Sequence, residues 1–370
     1  MKIQTTRDEL LNKLLFTSRA MSPKITNFVL NGIMLEAEES SLSIYGTDLE
    51  TSIKTSIGVK VIEKGRVVVP SKILINVLKS FNESKIELEL LSESNELKVV
   101  CQNANFKLNT FSLEEYPQLP TIKKHNSFKI NVENLKYLIS KVQKSSSTDE
   151  SRVILTGILL DLGKDLIKLV ATDSYRLAVI EDKIKYDNNP IKVVVPTRVL
   201  DTILKSDTAS GEIEINIEEN QISFLLFAEG VLNTTIISRL LTGKFPEYEK
   251  LIPSSFKHSI IINKSTTLEV IRRISSISQD NIPIKFDIDK GKITVSMNIR
   301  EVGSSSEDFE VSYGEEKLQL AFNPTFLIEG LSTIDEEKII FNIVEPLKPV
   351  LIKSEKNESL VYLLMPIRIS

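Results

Sequence analysis

"VVVPTRVLDTILKS", residues 193–206, repeats "VVVPSKILINVLKS", residues 67–80, at a shift of 126, with eight of fourteen letters identical. An element written twice a domain's length apart points to internal duplication, and a missed period would miscall the whole fold. A third version, "LAFNPTFLIEGLST", starts at residue 320. Working outward, each copy is preceded by an opening strand and helix: "MKIQTTRDELLNKLLFTSRAM" from 1, "FKINVENLKYLISKVQKSSS" from 128 and "HSIIINKSTTLEVIRRISSIS" from 258. Thr6 and Asn131 stand where N-caps belong, ahead of apolar residues at helical spacing. A strand and turn come next, "LSIYGTDLE" from 42 and "IKLVATDSYRL" from 167, with "ITVSMNIRE" from 293 as a degenerate third.

After the repeated helix the spacing changes. Ile86, Leu88 and Leu90 face Leu97, Val99 and Cys101 across "SESN", and Ile213, Ile215 and Ile217 face Ile222, Phe224 and Leu226 across "EEN". Period-two alternation about a polar turn predicts hairpins covered on one face; Ile339, Phe341 and Ile343 begin the third. Each copy thus holds two helices and several antiparallel strands, an α+β plan. Proline and charge interrupt the pattern at "YPQLPTIKKHNS" (116–127) and "FPEYEKLIPSSFKHS" (245–259), giving domains 1–124, 125–253 and 254–370. The two histidines, His125 and His258, fall in these joints and read as structural.

The 370 residues are 41% hydrophobic and 26% charged, enough for several cores. No apolar run approaches the ~20 residues of a membrane span. The start, "MKIQTTRDELL", lacks the pattern of a signal peptide, so a cytoplasmic protein is expected. The single cysteine, Cys101, reads as core filler. There is no glycine-rich phosphate loop, no metal-ligand spacing and no nucleophile motif, so no cofactor and no metal are expected. Asp48 and Asp173 are the best acid candidates, but aspartate in a tight turn more often bonds its own backbone.

Net charge is −4, so any surface for nucleic acid must be local. Wound as a helix, 71–80 gathers Leu74, Val77 and Leu78 opposite Lys72 and Lys79; its repeat gathers Leu200, Ile203 and Leu204 opposite Arg198 and Lys205. The opening helices place Lys141 and Lys144 away from Leu135, Leu138, Ile139 and Val142, and Arg272 away from Ile271 and Ile274. Basic outer faces on matching helices of an acidic chain suit sequence-independent contact with DNA phosphates.

The three repeats, "YGTDLE", "ATDSYRLAV", "FPEYEKLIP" and the ending "LLMPIRIS" together resemble the bacterial DNA polymerase III beta subunit, the sliding clamp, from end to end. The resemblance implies a non-catalytic processivity factor in which a head-to-tail homodimer closes six domains around duplex DNA, helices inward. It adds Lys24 to the DNA-facing residues. It places Phe106 and Leu108 of "NFKLN" at the dimer interface, near Ile274 and Ile277 of the partner. It also implies a cleft for short peptides of the polymerase alpha subunit, the clamp loader and repair proteins. From the second repeat this cleft takes Arg152, Leu155, Thr172, Ser174, Tyr175, Arg176 and Leu177. The joint gives Pro246, Lys250 and Leu251, and the third repeat Asn323, Phe326, Leu347, Leu363, Met365, Pro366 and Arg368. Asn27-Phe28 replaces a common Leu-Pro beside Lys24, Pro349 stands where a small polar residue is frequent, and "MNIREVGSSSEDF" lacks the frequent Asn-Pro-Glu turn. Competing readings are a specialised clamp paralogue for repair or toxin resistance, and a carboxylate and metal nucleic-acid hydrolase.

Overall fold

The computed structural model describes residues 1–21, 27–82, 84–124, 126–207, 211–228, 230–278 and 282–368. They form two compact units, Met1–Lys136 with Arg198–Leu240, and Tyr137–Thr197 with Leu241–Ser370. The chain passes between them three times, each time inside the middle repeat, so each unit is one terminal repeat plus part of the middle one. Six α-helices occur among the described residues: α1 (Arg7–Thr17), α2 (Ser71–Lys79), α3 (Val132–Val142), α4 (Thr197–Leu204), α5 (Lys264–Ser275) and α6 (Pro324–Thr333). That is two per repeat, as the duplicated strings require.

Unit 1 contains two antiparallel sheets. One runs Lys60–Glu63, Lys2–Thr6, Lys85–Leu91, Glu96–Cys101, Ala104–Asn109. The other has eight strands, Ser127–Asn131, Glu212–Ile217, Gln221–Ala228, Val231–Arg239, Thr51–Gly58, Ser41–Thr47, Gly32–Glu38, Gly65–Pro70. Leu10 and Leu14 of α1 and Leu74 and Leu78 of α2 are buried between them, against Ile33, Leu35, Leu88 and Val99. Each such leucine contributes about 1.5–3 kcal/mol by leaving water. Both expected hairpins form in the expected register, Leu88 opposite Val99 and Ile215 opposite Phe224. Cys101 is buried.

Unit 2 repeats the scheme. Its eight-stranded sheet runs Ile191–Pro196, Gly157–Gly163, Leu166–Thr172, Arg176–Lys183, Leu360–Leu364, Val350–Ser354, Lys338–Ile343, His258–Asn263. A four-stranded sheet runs Gly303–Glu310, Lys292–Ile299, Ile284–Asp289, Leu318–Phe322. The stretch lacking the Asn-Pro-Glu turn is a hairpin whose second strand, Gly303–Glu310, is an edge.

Local chemistry explains where the helices start. Asn131 Oδ1 accepts from Glu133 N and Asn134 N (2.8 and 3.2 Å), and Asn263 and Asn323 cap α5 and α6 likewise. Thr6 differs from expectation: its hydroxyl donates to Glu9 (2.6 Å) and caps no backbone N–H. Before α2 and α4 the strands end in Pro70 and Pro196, opposite Gly32 and Gly157. A Cβ on either glycine would stand 2.6 Å from a valine methyl, of Val68 or Val194, so the repeated glycine is a packing requirement written twice.

Candidate functional site: a braced turn, an apolar cleft and two open sheet edges

The "TD" turns are built alike. Thr172 Oγ1 donates to Arg176 O (2.6 Å) and accepts from Ser174 N (3.1 Å), while Asp173 Oδ1 accepts from Tyr175 N and Arg176 N, both 2.9 Å. In the first repeat Thr47 and Asp48 make the same bonds to Leu49, Glu50 and Thr51. Ser174 and Leu49 take the left-handed backbone the turn demands, φ 80 and 74. These bonds occupy one carboxylate oxygen in each turn, which is the backbone role anticipated for Asp48 and Asp173.

The second oxygen of each aspartate holds an arginine. Asp48 pairs with Arg198 at 2.7 Å. Asp173 pairs with Arg176 Nε at 3.0 Å, and Arg176, 7% exposed, also donates to Glu329 and to Lys144 O while its guanidinium lies 4.2 Å from the Phe326 ring centre. Burial opposes its charge, but Tyr362, Glu329 and Asp173 more than offset this and raise its pKa. Tyr362 donates to Phe326 O (2.8 Å) and is pushed up mainly by burial. Arg176 therefore locks the turn to α6.

Around this brace lies an apolar cleft. Leu177 and Leu363 oppose each other across paired strands and are buried with Val170, Val179, Phe245 and Tyr248; Leu155 is buried in the 3₁₀ segment Glu150–Thr156. A cavity of about 310 Å³ is lined by Leu159, Val194, Phe245, Pro246 and Tyr248, with Lys192, Lys244, Glu247 and Glu249 as its charged residues. Tyr175, Leu347 and Leu251 are exposed (61%, 58% and 47%), as are Arg152, Pro246, Lys250 and Arg368. Phe326, Met365 and Pro366 are half-buried. Met365 N donates to Tyr175 O (2.9 Å), Arg152 donates to Ser174 Oγ (2.9 Å) and Asp149, and Lys250 pairs with Glu247. Asn323 serves as the α6 cap. Sequence reasoning missed Glu329, Tyr362 and Gly330. Glu329 is the one charge in an apolar helix, and Gly330 sits where a Cβ would fall 2.1 Å from the Tyr362 ring; an unexplained charge and glycine side by side were the available signal.

The proposed basic face needs correction. Lys141 does not point to solvent: it is 6% exposed, bonded to Asp335 and to Thr333 O (2.6 Å). Those acceptors, together with Tyr137 Oη on Asp335 (2.9 Å), make an inward lysine affordable. Arg198 and Lys205 are half exposed but engaged, with Asp48 and Asp201. Lys72, Lys79, Lys144 and Arg272 are exposed and have no acidic partner among the described residues, and Arg19, in the 3₁₀ turn Ser18–Ala20 after α1, joins them. Lys24 lies outside the described residues, as does His125. His258 is buried, its ring against Glu315 and Tyr313.

Two of the edge strands, one from the first repeat and one from the third, bear on assembly. Ala104–Asn109 ends the first sheet with Leu108 buried and Phe106, 38% exposed, edge-on to Phe81 at 5.7 Å. Gly303–Glu310 ends the last sheet; Ser305 Oγ donates to Ile274 O (3.0 Å) and Glu307 pairs with Arg273. Ile274 is already buried within its own chain, and Ile277 half-buried.

Among the described residues no group of three His, Cys, Asp or Glu converges as metal ligands do, and no helix is long and apolar enough to cross a membrane. Comparison with known proteins places the whole plan. Family models for the N-terminal, central and C-terminal domains of the DNA polymerase III beta subunit match residues 1–120, 129–247 and 249–368. A beta sliding clamp of Streptomyces coelicolor is 28% identical over the full length of both chains. The solved DNA polymerase sliding clamp of Bacillus subtilis superposes over all of both chains with TM-score 0.92 at 28% identity. The beta subunit of Bartonella birtlesii, solved bound to griselimycin, does so with TM-score 0.93 at 25%. Three tandem domains matched in order and a shared fold over every residue lead to one conclusion: the chain belongs to the DNA polymerase III beta subunit family, the non-catalytic sliding clamps of DNA replication.

Proposed function

We propose that two copies of this chain join head to tail into a ring of six domains, 1–124, 125–253 and 254–370 from each, that encircles duplex DNA in the bacterial cytoplasm. The ring tethers the replicative polymerase. The observation that carries this is the internal logic of the sheets. In unit 1 the last strand of one half-sheet, Val231–Arg239, pairs with the last strand of another, Thr51–Gly58; in unit 2 Leu360–Leu364 pairs with Arg176–Lys183. The repeat makes Ala104–Asn109 the counterpart of the first member of each pair and Gly303–Glu310 that of the second. Both are edge strands of their sheets, and one chain offers one of each.

The register follows as well. Leu42, Ile167 and Ile293 are equivalent, and their partners Ile57, Asp182 and Phe309 carry the equivalence to the edge strand. In the internal junctions Ile236 opposes Ile53 and Tyr362 opposes Ala178. The same step puts Phe106 opposite Ser305 of a second copy, Leu108 opposite Gly303 and Ala104 opposite Glu307. Phe106 then reaches Ile277, just past the end of α5, covering an apolar edge that invites pairing. A junction between unlike surfaces closes as a ring or runs on as a filament; closure at two copies suits a clamp.

Lys72, Lys79, Lys144 and Arg272 are the residues we assign to DNA phosphates, with Lys24 in the same role. Contacts of that kind carry no sequence information and permit sliding. The cleft around Leu177 and Leu363, rimmed by Arg152, Tyr175, Pro246, Leu251, Leu347, Met365, Pro366 and Arg368, takes short apolar peptides of the polymerase, loader and repair proteins. The decisive experiment loads the protein onto nicked circular plasmid with its loader, isolates the complex and cuts the circle once. Loss of protein on cutting, with retention on intact circles, is expected of topological linkage; equal retention on both overturns the ring.

A further inference from the structure

Unit 1 has a concavity that the clamp reading does not use. A groove of about 320 Å³ follows the junction of strands Thr51–Gly58 and Val231–Arg239, walled by Leu119, Pro120, Ile122, Leu232 and Ile237 with Lys54 and Asn233. Its place in the repeat is that of the unit 2 cleft. Ile237 opposes Ser52 as Leu363 opposes Leu177, and the joint "YPQLPTI" supplies Leu119 and Ile122 where "FPEYEKL" supplies Tyr248 and Leu251.

Three features set it apart from leftover surface. Lys54 occupies the position of the buried Val179, and among the described residues no carboxylate lies within ion-pair distance of it. Asn233 Oδ1 is shielded from solvent and accepts no hydrogen bond, a state that costs about 1–3 kcal/mol unless a donor arrives. Leu232 beside it is 43% exposed. One cation, one idle acceptor and aliphatic walls suit neither a nucleic acid, which needs several cations, nor a basic segment.

We propose that this groove is a second docking site, for an extended segment of a partner protein that carries an acidic residue between aliphatic ones. The aliphatic side chains rest on Ile122, Leu232 and Ile237, the carboxylate pairs with Lys54, and the Asn233 amide turns toward the groove so that Oδ1 accepts a backbone N–H. The class of ligand rests on the peptide reading of the unit 2 cleft.

The test uses the full chain and two fluorescein-labelled peptides, Gly-Leu-Asp-Ile-Leu-Gly and its Asp-to-Lys counterpart, followed by polarisation and titration calorimetry. Leu347→Ser blunts the unit 2 cleft at an exposed residue. In that background the acidic peptide is expected to bind still, Lys54→Glu to weaken it about 5–10-fold as loss and reversal of a rim charge would, and the lysine peptide to prefer Lys54→Glu. Leu232→Ser, at an exposed position, weakens both peptides. Binding in the Leu347→Ser chain that is absent, or equal with and without Lys54→Glu, overturns the proposal. If the cleft reading alone is wrong, Leu347→Ser leaves a stoichiometry of one peptide per chain unchanged and all binding responds to Lys54→Glu.

Discussion

The register of the proposed junction can be tested to a single residue. In a chain carrying Phe106→Cys and Ser305→Cys, with Cys101→Ala removing the one native thiol, each junction of a closed dimer brings two cysteines face to face. Directly opposed residues of antiparallel strands have Cβ atoms about 4.5–5.5 Å apart, within a small relaxation of the ~3.5–4.5 Å of a disulfide. Moving the second cysteine to Ser306 shifts it by ~3.3 Å along the strand and onto the other face. The Cβ separation then grows to about 7 Å with diverging vectors, beyond what a disulfide tolerates. Under mild oxidation the Phe106/Ser305 pair should give a covalent species of two chains on a non-reducing gel, at least about tenfold faster than the Phe106/Ser306 pair. Comparable rates for the two pairs would refute the register. A ladder of three or more chains would refute closure, because an unlike junction that fails to close propagates.

Four further outcomes follow. Arg176→Ala strands two carboxylates against a packed helix and should lower unfolding stability by about 3–5 kcal/mol, read as a shift in denaturation midpoint, with Arg176→Lys recovering less than half because the forked geometry is lost. Gly330→Ala forces the Tyr362 ring to move and should cost about 1–3 kcal/mol by overpacking. Burial pushes the Asp335 carboxyl up, yet bonds from Lys141 and Tyr137 outweigh it and hold its pKa below the ordinary range. The stability it adds is therefore present above that ordinary range and lost as pH falls through the lowered value, so thermal melts from pH 6 to 3 should decline more in the wild type than in Lys141→Met. Lys72→Gln and Lys79→Gln should each reduce the slope of log affinity for duplex DNA against log salt by about one, whereas Lys141→Met should leave it unchanged.

The architecture was readable because it was written three times. Two helices per repeat, the hairpin registers of Ile86–Cys101 and Ile213–Leu226, and the backbone role of the "TD" aspartates all follow from spacing within one stretch of chain. What escaped depended on partners far away in sequence. Lys141 sits at an outward position of a helical wheel, but Asp335 and Thr333, almost two hundred residues on, turn it inward. Arg176, assigned to the cleft by resemblance, is also the joint between a turn and α6, because Glu329 and Phe326 come from the next repeat. A helical wheel records direction and carries no knowledge of what lies in that direction. The edge strands show the converse: Phe106 and Leu108 announced an apolar face, while the edge proposed to meet it is polar "GSSSEDFE", with Phe309 its single apolar residue.

The divided middle repeat sets a timetable for synthesis. Strand Arg176–Lys183 leaves the ribosome well before its partner Leu360–Leu364, and at about 5–20 residues per second the wait is roughly 10–40 s. Meanwhile the first unit cannot close until residue 240 has emerged, since strand Val231–Arg239 completes its sheet. The nascent chain therefore carries the unpaired edge "RLAVIEDK" through the longest interval of its own translation. The charged half of that strand, Glu181 to Lys183, is of the kind that discourages pairing with neighbouring chains.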